Sequence, residues 1–253
     1  SYTAPTGMPF IKNSISGHGA DATGCSEFCN KYYNLKIDGS QIAQRQIWRN
    51  DCGINHVYPQ TGTWVFDRSN WCPGAVVWPI YHDISGITMP NNNFTADIDL
   101  QPYAVANPSG GYNFVSQLIN YGLINQQIDV SIEDIVAPSS DPNYFRSNVA
   151  CSNPIVKIKN TGSDSIREIV FEYGLSGLTL STYTWTGSLG FMQETDVVFP
   201  SSPSIMSGSV AAAFEVHALT VNGGTDGNAD NNVYHSIRRP VQIFPQNFIV
   251  KMA

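Results

Sequence analysis

KYYNLKIDGSQIAQRQIWR (residues 31–49) decides the fold. Tyr33, Leu35 and Ile37 alternate with polar neighbours across KYYNLKID (31–38), and a second run, IAQRQIWR (42–49), follows a D-G-S step. A period of two is that of a strand with one buried face, and Asp-Gly between two such runs signals a turn. Working outward, PFIKNSIS (9–16), AVVWPIYHDI (75–84), FTADIDL (94–100), YNFVSQLINY (112–121) and QIDVSIEDIV (127–136) repeat the pattern. NDCG, NNN and NPSGG punctuate them, and no helical period intervenes. The fold class is therefore all-β, with an antiparallel sandwich or jelly roll over residues 1–137.

At APSSDPN (137–143) the pattern breaks and a second series begins: PIVKIKN (154–160), REIVFEYGL (167–175), LSTYTWT (180–186), ETDVVFP (194–200), VAAAFEVHAL (210–219) and VYHSI (233–237). Residues 138–240 read as a second, smaller β-sandwich, an ordinary domain size. The segment 241–253 reads as a linker or the start of a further domain.

Composition supports this and excludes several functions. Charged residues are 13% of the chain, about half the usual share. The net charge of −7 comes without a basic cluster, so nucleic acid is not an expected partner. No apolar run is long enough for a transmembrane helix. The chain opens on Ser1, with no signal peptide, and reads as a processed or excised piece of a longer protein. No Gly-rich phosphate loop or G-x-S-x-G elbow occurs.

Four of the five cysteines, Cys25, Cys29, Cys52 and Cys72, crowd into the first third. Such a cluster admits disulfides or a metal site. Few lysines, many asparagines and an acidic balance favour an exported protein with disulfides Cys25–Cys29 and Cys52–Cys72 and a buried free thiol at Cys151. His18, His56 and His82 show no paired metal-ligand spacing, and His217, between Phe214, Val216 and their neighbours, reads as core or sheet surface. No metal or other cofactor is expected. Asp226, Asn228 and Asp230 imitate a calcium loop, but Asn231 replaces its glycine and Ile237 its glutamate, so a polar turn is the reading.

GCSEFC (24–29) places Glu27 between two cysteines, and WVFDRSNWCPG (64–74) places Asp67 and Arg68 between two tryptophans. A disulfide over so few residues removes little unfolded-state entropy. Its use is local rigidity, as a substrate-positioning carboxylate requires, although a solvent-facing glutamate fits the spacing equally. Asp67 and Arg68 read either as a surface pair of little energetic weight or as a polar clamp beside aromatic platforms that suit sugar rings.

SISGHGADATGCSEFC, WRNDCGINHVYP and TWVFDRSNWCPGAVV together resemble the C-terminal jelly roll of the peptide:N-glycosidase F family, whose pattern is an S-G-x-G loop, G-C-x-E-[WF]-C, a later lone cysteine and W-x-x-D-R-x-x-W-C-P-G. The resemblance spans roughly residues 9–136. It implies the two disulfides above, a cleft-lining catalytic helper at Glu27, and substrate contacts from Arg68, Trp71, His18 and Asp67. It further implies a metal-free glycoamidase cleaving the amide between Asn and the first N-acetylglucosamine of an N-glycan, with an N-glycoprotein or glycan as partner. Departures accompany it. His18 and Phe28 stand where the family has tryptophan, and the segment before Met8 looks shortened. The family's principal aspartate, in a Cys-Asp-Glu-Trp-Asp-Arg-like motif of its N-terminal jelly roll, has no counterpart in these 253 residues. That jelly roll, from the same protein, is thus an expected partner, and whether the chain belongs to an enzyme stays open at this point. A non-catalytic secreted glycan-binding or adhesion protein, or cargo of a bacterial export machine, is the alternative. IVKIKNTGSDSI (155–166) and DGNADNNVYHS (226–236) resemble Ig-like adhesion modules of secreted bacterial proteins. A secreted or cell-surface bacterial location follows from these likenesses.

Overall fold

The turn at residues 38–39 forms as its sequence demands. Asp38 (φ 48°) and Gly39 (φ 81°) are both left-handed, which a type I′ hairpin turn needs at its two central positions. The computed structural model describes residues 1–19, 25–54, 60–102, 110–144, 153–201, 205 and 210–239. It divides into two compact units, Ser1–Leu123 and Ile124–Ala253.

The first unit contains β1 (Tyr2–Thr3), β2 (Met8–His18), β3 (Lys31–Ile37), β4 (Ser40–Ile47), β5 (Ile80–Asp83), β6 (Asn93–Phe94), β7 (Ala96–Leu100) and β8 (Gly111–Tyr121). They form antiparallel sheets ordered β5-β2-β8 and β4-β3-β7, with β1-β6 as a short ribbon. Ile11 and Ile15 of β2 share one core with Tyr33, Leu35 and Ile37 of β3, joined by Ile47, Ile84 and Phe94. Only residues 80–83 of the expected strand 75–84 are extended in a ladder. Pro79 lacks the N–H that a ladder requires, so the alternation before it runs as irregular chain.

One polar pair sits inside this core. The Tyr33 hydroxyl lies 2.7 Å from His82 Nε2, and both residues are buried. Burial, with the Arg45 charge second, pushes His82 down from 6.5 to about 4. The fold keeps the imidazole neutral while the unfolded chain takes up a proton. The contribution of His82 to stability is therefore full above pH 6.5 and is lost as pH falls towards about 4. At about 1.4 kcal/mol per pH unit the loss reaches about 3 kcal/mol. Urea unfolding at successive pH values is expected to show this slope and His82→Gln to flatten it; equal slopes would contradict the assignment.

The second unit contains β9 (Val130–Ala137), β10 (Ile155–Asn160), β11 (Ile166–Leu175), β12 (Ser181–Leu189), β13 (Glu194–Val198), β14 (Ala212–Val221) and β15 (Val233–Arg238). Sheets β13-β10-β9 and β12-β11-β14-β15 enclose a single core. In it Phe199 packs against Phe171, Tyr173 and Tyr183, at ring-centroid distances of 5.2, 4.5 and 5.4 Å. The division between units lies at 123/124 and not at 137/138. The physical reason is that β9 hydrogen-bonds to β10 and buries Val130, Ile132 and Ile135 in the second core. The proline-rich break after it marks a strand end and no domain boundary. Cys151, His56 and the segment 241–253 lie outside the described residues.

Two polar turns close this unit. Asn160 is fully buried and donates to the carbonyls of Asp164 and Leu189 at 2.9 and 2.8 Å, while its own carbonyl accepts the Gly162 N–H at 2.9 Å. The Asp226 carboxylate accepts the N–H groups of Val130 and Asn228, each at 2.8 Å. Asn228 then caps the 3-10 turn Ala229–Asn231. Both oxygens of Asp226 thus serve the backbone, as a polar turn requires. Among the described residues there is no helix long and apolar enough to cross a membrane.

Candidate functional site

The turn carrying Glu27 is held by a covalent clip and by close backbone approach. Cys25 and Cys29 are disulfide-bonded with their Cα atoms 4.6 Å apart. Ser26 between them is left-handed (φ 81°). Its carbonyl accepts the Ser69 hydroxyl at 2.6 Å, which also donates to the Cys29 carbonyl at 2.9 Å. Gly17, near the end of β2, lies so close that a Cβ there would stand 2.0 Å from the Ser26 carbonyl oxygen. Gly17→Ala must displace backbone, and a loss of about 1–3 kcal/mol in thermal unfolding is expected.

Glu27 itself is fixed at both carboxylate oxygens. Oε1 accepts Arg68 Nη1 at 2.6 Å and Oε2 accepts the Gly19 N–H at 3.2 Å. Its backbone N–H donates to the Gly19 carbonyl at 3.0 Å and its carbonyl accepts the Ser69 N–H at 2.8 Å. The Arg68 side chain is 3% exposed and that of Glu27 is 16%. The other guanidinium nitrogens of Arg68 are committed locally, Nε to the Phe66 carbonyl at 3.2 Å and Nη2 to the Thr63 carbonyl. Burial pushes the Arg68 guanidinium below its ordinary value, and the Glu27 charge opposes that shift. A cation so enclosed serves to hold one carboxylate in one place.

Aromatic rings surround the pair. The Arg68 guanidinium carbon lies 4.8 Å from the Trp71 ring centroid and 5.1 Å from that of Phe28. His18 stacks on Trp71 at 4.8 Å and 26°, and its Nε2 lies 2.7 Å from the Ser16 hydroxyl. Trp71 Nε1 donates to the Gly17 carbonyl at 2.7 Å. Four of the residues singled out in the sequence, Glu27, Arg68, Trp71 and His18, thus form one constellation. Asp67 is exposed, and no hydrogen bond or ion pair joins it to the others among the described residues. The ion-pair partner of Arg68 is Glu27, 41 positions away, and not its sequence neighbour.

A supporting layer escaped the sequence reading. Arg49 and Arg68 exchange backbone hydrogen bonds at 2.9 and 3.1 Å. Arg49 grips Asp51 through two bonds of 2.8 Å and lies 4.1 Å from the Trp78 ring. The hydrogen bonds from Arg49 hold the Asp51 carboxyl below its usual value. Trp78 is 46% exposed, an indole braced from beneath by a cation. The W-R-N-D-C run was the available signal, because an Asp two residues past an Arg matches a local bidentate pair. Asp51, Cys52 and Cys72 come within 4.8 Å of one another, but these cysteines form the second disulfide, with Cα atoms 5.2 Å apart, and offer no thiolate.

Fold and site together define a disulfide-braced antiparallel β-sandwich domain built around one fixed carboxylate. Residues 8–119 match the family described as Peptide-N-glycosidase F, C terminal. Over these residues the first unit is similar to the C-terminal domain of that family. Among solved structures, peptide-N-glycosidase F from Flavobacterium meningosepticum, a glycosylasparaginase, is 24% identical, with 47% of this chain and 42% of that one covered and a TM-score of 0.43. PNGF-II is 20% identical, over 47% of this chain and 24% of its own, with a TM-score of 0.39. The 272–376 domain of a cell surface protein from Methanosarcina acetivorans is 16% identical over 49% of this chain and 100% of its own, with a TM-score of 0.36. The chain thus spans less than half the length of the peptide-N-glycosidase F and PNGF-II chains. No curated protein matches it.

Proposed function

We propose that the first unit is the glycan-facing half of a peptide-N-glycosidase F-like glycoamidase, which hydrolyses the amide between Asn and the first N-acetylglucosamine of an N-glycan. The observation that carries this reading is the Glu27–Arg68 pair, clamped inside a disulfide-closed turn within the family-matched segment. Amide hydrolysis needs a positioned carboxylate to orient or deprotonate water and a proton for the departing nitrogen. Glu27 supplies the carboxylate, and Arg68, buried behind it, acts through it as a positioning residue. A partner jelly roll carrying the family's principal aspartate completes the cleft. Trp71, His18 and Asp67 lie on the substrate side, with the exposed Phe66 and Trp78 as further faces on which sugar CH groups can stack. The second unit is an Ig-like module that follows the first in the chain.

An exported bacterial protein is the setting that fits, since two disulfides persist in oxidising compartments. The test is incubation of a denatured N-glycoprotein with the full-length protein. Glycan release that leaves aspartate at the former sequon supports the assignment, and an unchanged glycoprotein would overturn it.

A further inference from the structure

The outer face of the four-stranded sheet in the second unit gathers two imidazoles and two carboxylates that the glycan reading does not use. Glu215 and His217 are two residues apart on β14, so both point to one side. Across the β14–β15 ladder Glu215 pairs with His235, and across the β11–β14 ladder His217 pairs with Glu172. Directly opposed residues of an antiparallel pair share a face with their Cβ atoms about 4.5–5.5 Å apart. One oxygen, Glu215 Oε2, stands 3.5 Å from His217 Nε2 and 3.7 Å from His235 Nδ1. His217 Nε2 is shielded from solvent and has no hydrogen-bond partner. At 3.5 Å from the carboxylate oxygen the ring nitrogen makes no good hydrogen bond to it, so both atoms can serve as donors to an ion set to one side of them.

We propose that Glu215, His217 and His235, with Glu172 alongside, form a binding site for a divalent transition-metal ion. For metal–ligand bonds of about 2.0–2.1 Å, neighbouring donors on a tetrahedral ion lie about 3.3 Å apart, close to both separations found here. Imidazole with carboxylate is the donor set of zinc and its first-row neighbours. The two ring centroids are 6.5 Å apart at 81°, so closure on the ion requires one ring to swing inward. His235, 59% exposed, is free to do so. In the sequence His217 reads as core or sheet surface because it stands among Phe214 and Val216, while His235 and Glu172 come from other strands and Glu215 shares only a two-residue spacing with it. The site joins β11, β14 and β15, so an ion there would tie three strands together.

The test is titration of the untagged chain with Zn2+, followed by calorimetry and thermal unfolding, together with the visible spectrum of the Co2+ form. Saturable binding, a raised melting temperature and d–d bands of a low-coordinate Co2+ ion are expected. His217→Ala and His235→Ala are each expected to weaken Zn2+ binding at least roughly tenfold. Unchanged metal-free melting of His235→Ala, whose ring is the most exposed of the set, separates ligand loss from misfolding. Absence of saturable binding, or binding that survives in the double variant, would overturn the site.

Discussion

Glu27→Gln is expected to lower N-glycan amide hydrolysis by roughly 10²–10⁴-fold, the range that a positioned acid–base group contributes. The substitution keeps the shape of the side chain and a carbonyl oxygen for Arg68, so the turn stays folded. It removes the negative charge and the capacity to take a proton from water. The loss should therefore fall on kcat, with KM nearly unchanged, when the full-length protein cleaves a glycopeptide. Near-normal kcat would take Glu27 out of the chemistry and leave it as a structural partner of Arg68.

Arg68→Met is expected to destabilise the first unit by about 3–5 kcal/mol, the cost of leaving one member of a buried ion pair without its partner. Here the stranded group is Glu27, only 16% exposed, and the carbonyls of Thr63 and Phe66 lose their donor as well. Combining Arg68→Met with Glu27→Gln should recover part of that loss, since a neutral amide tolerates burial better than an unpaired carboxylate. Chemical denaturation of the four proteins in this cycle measures it. Additive losses would show that the two side chains are not coupled.

The strands were legible because period-two alternation is local: Tyr33, Leu35 and Ile37 are all buried on one side of β3, as their spacing required. The Asp38-Gly39 turn was legible for the same reason. What failed to show were relations between distant residues. QIDVSIEDIV reads as a strand in either domain, and only its hydrogen bonds to β10 assign it to the second. AVVWPIYHDI alternates correctly, yet Pro79 ends the ladder. At the site, the Cys-x-Glu-x-Cys turn announced a rigid carboxylate, whereas the sequence placed Asp67 beside Arg68 as its natural partner. The fold chose Glu27 because Ser69, adjacent to Arg68, ties its hydroxyl and its N–H into the cysteine loop and so draws the two segments together. The Arg49–Trp78 stack was invisible for want of any local period linking positions 49 and 78.

The most direct measurement is the intact mass of a denatured N-glycoprotein after incubation with the full-length protein, run beside its Glu27→Gln variant. Release of the whole glycan with conversion of the sequon Asn to Asp by the wild type, and its loss in the variant, is the predicted result. A glycoprotein whose mass is unchanged by the wild-type protein, or is changed equally by both, would contradict the account.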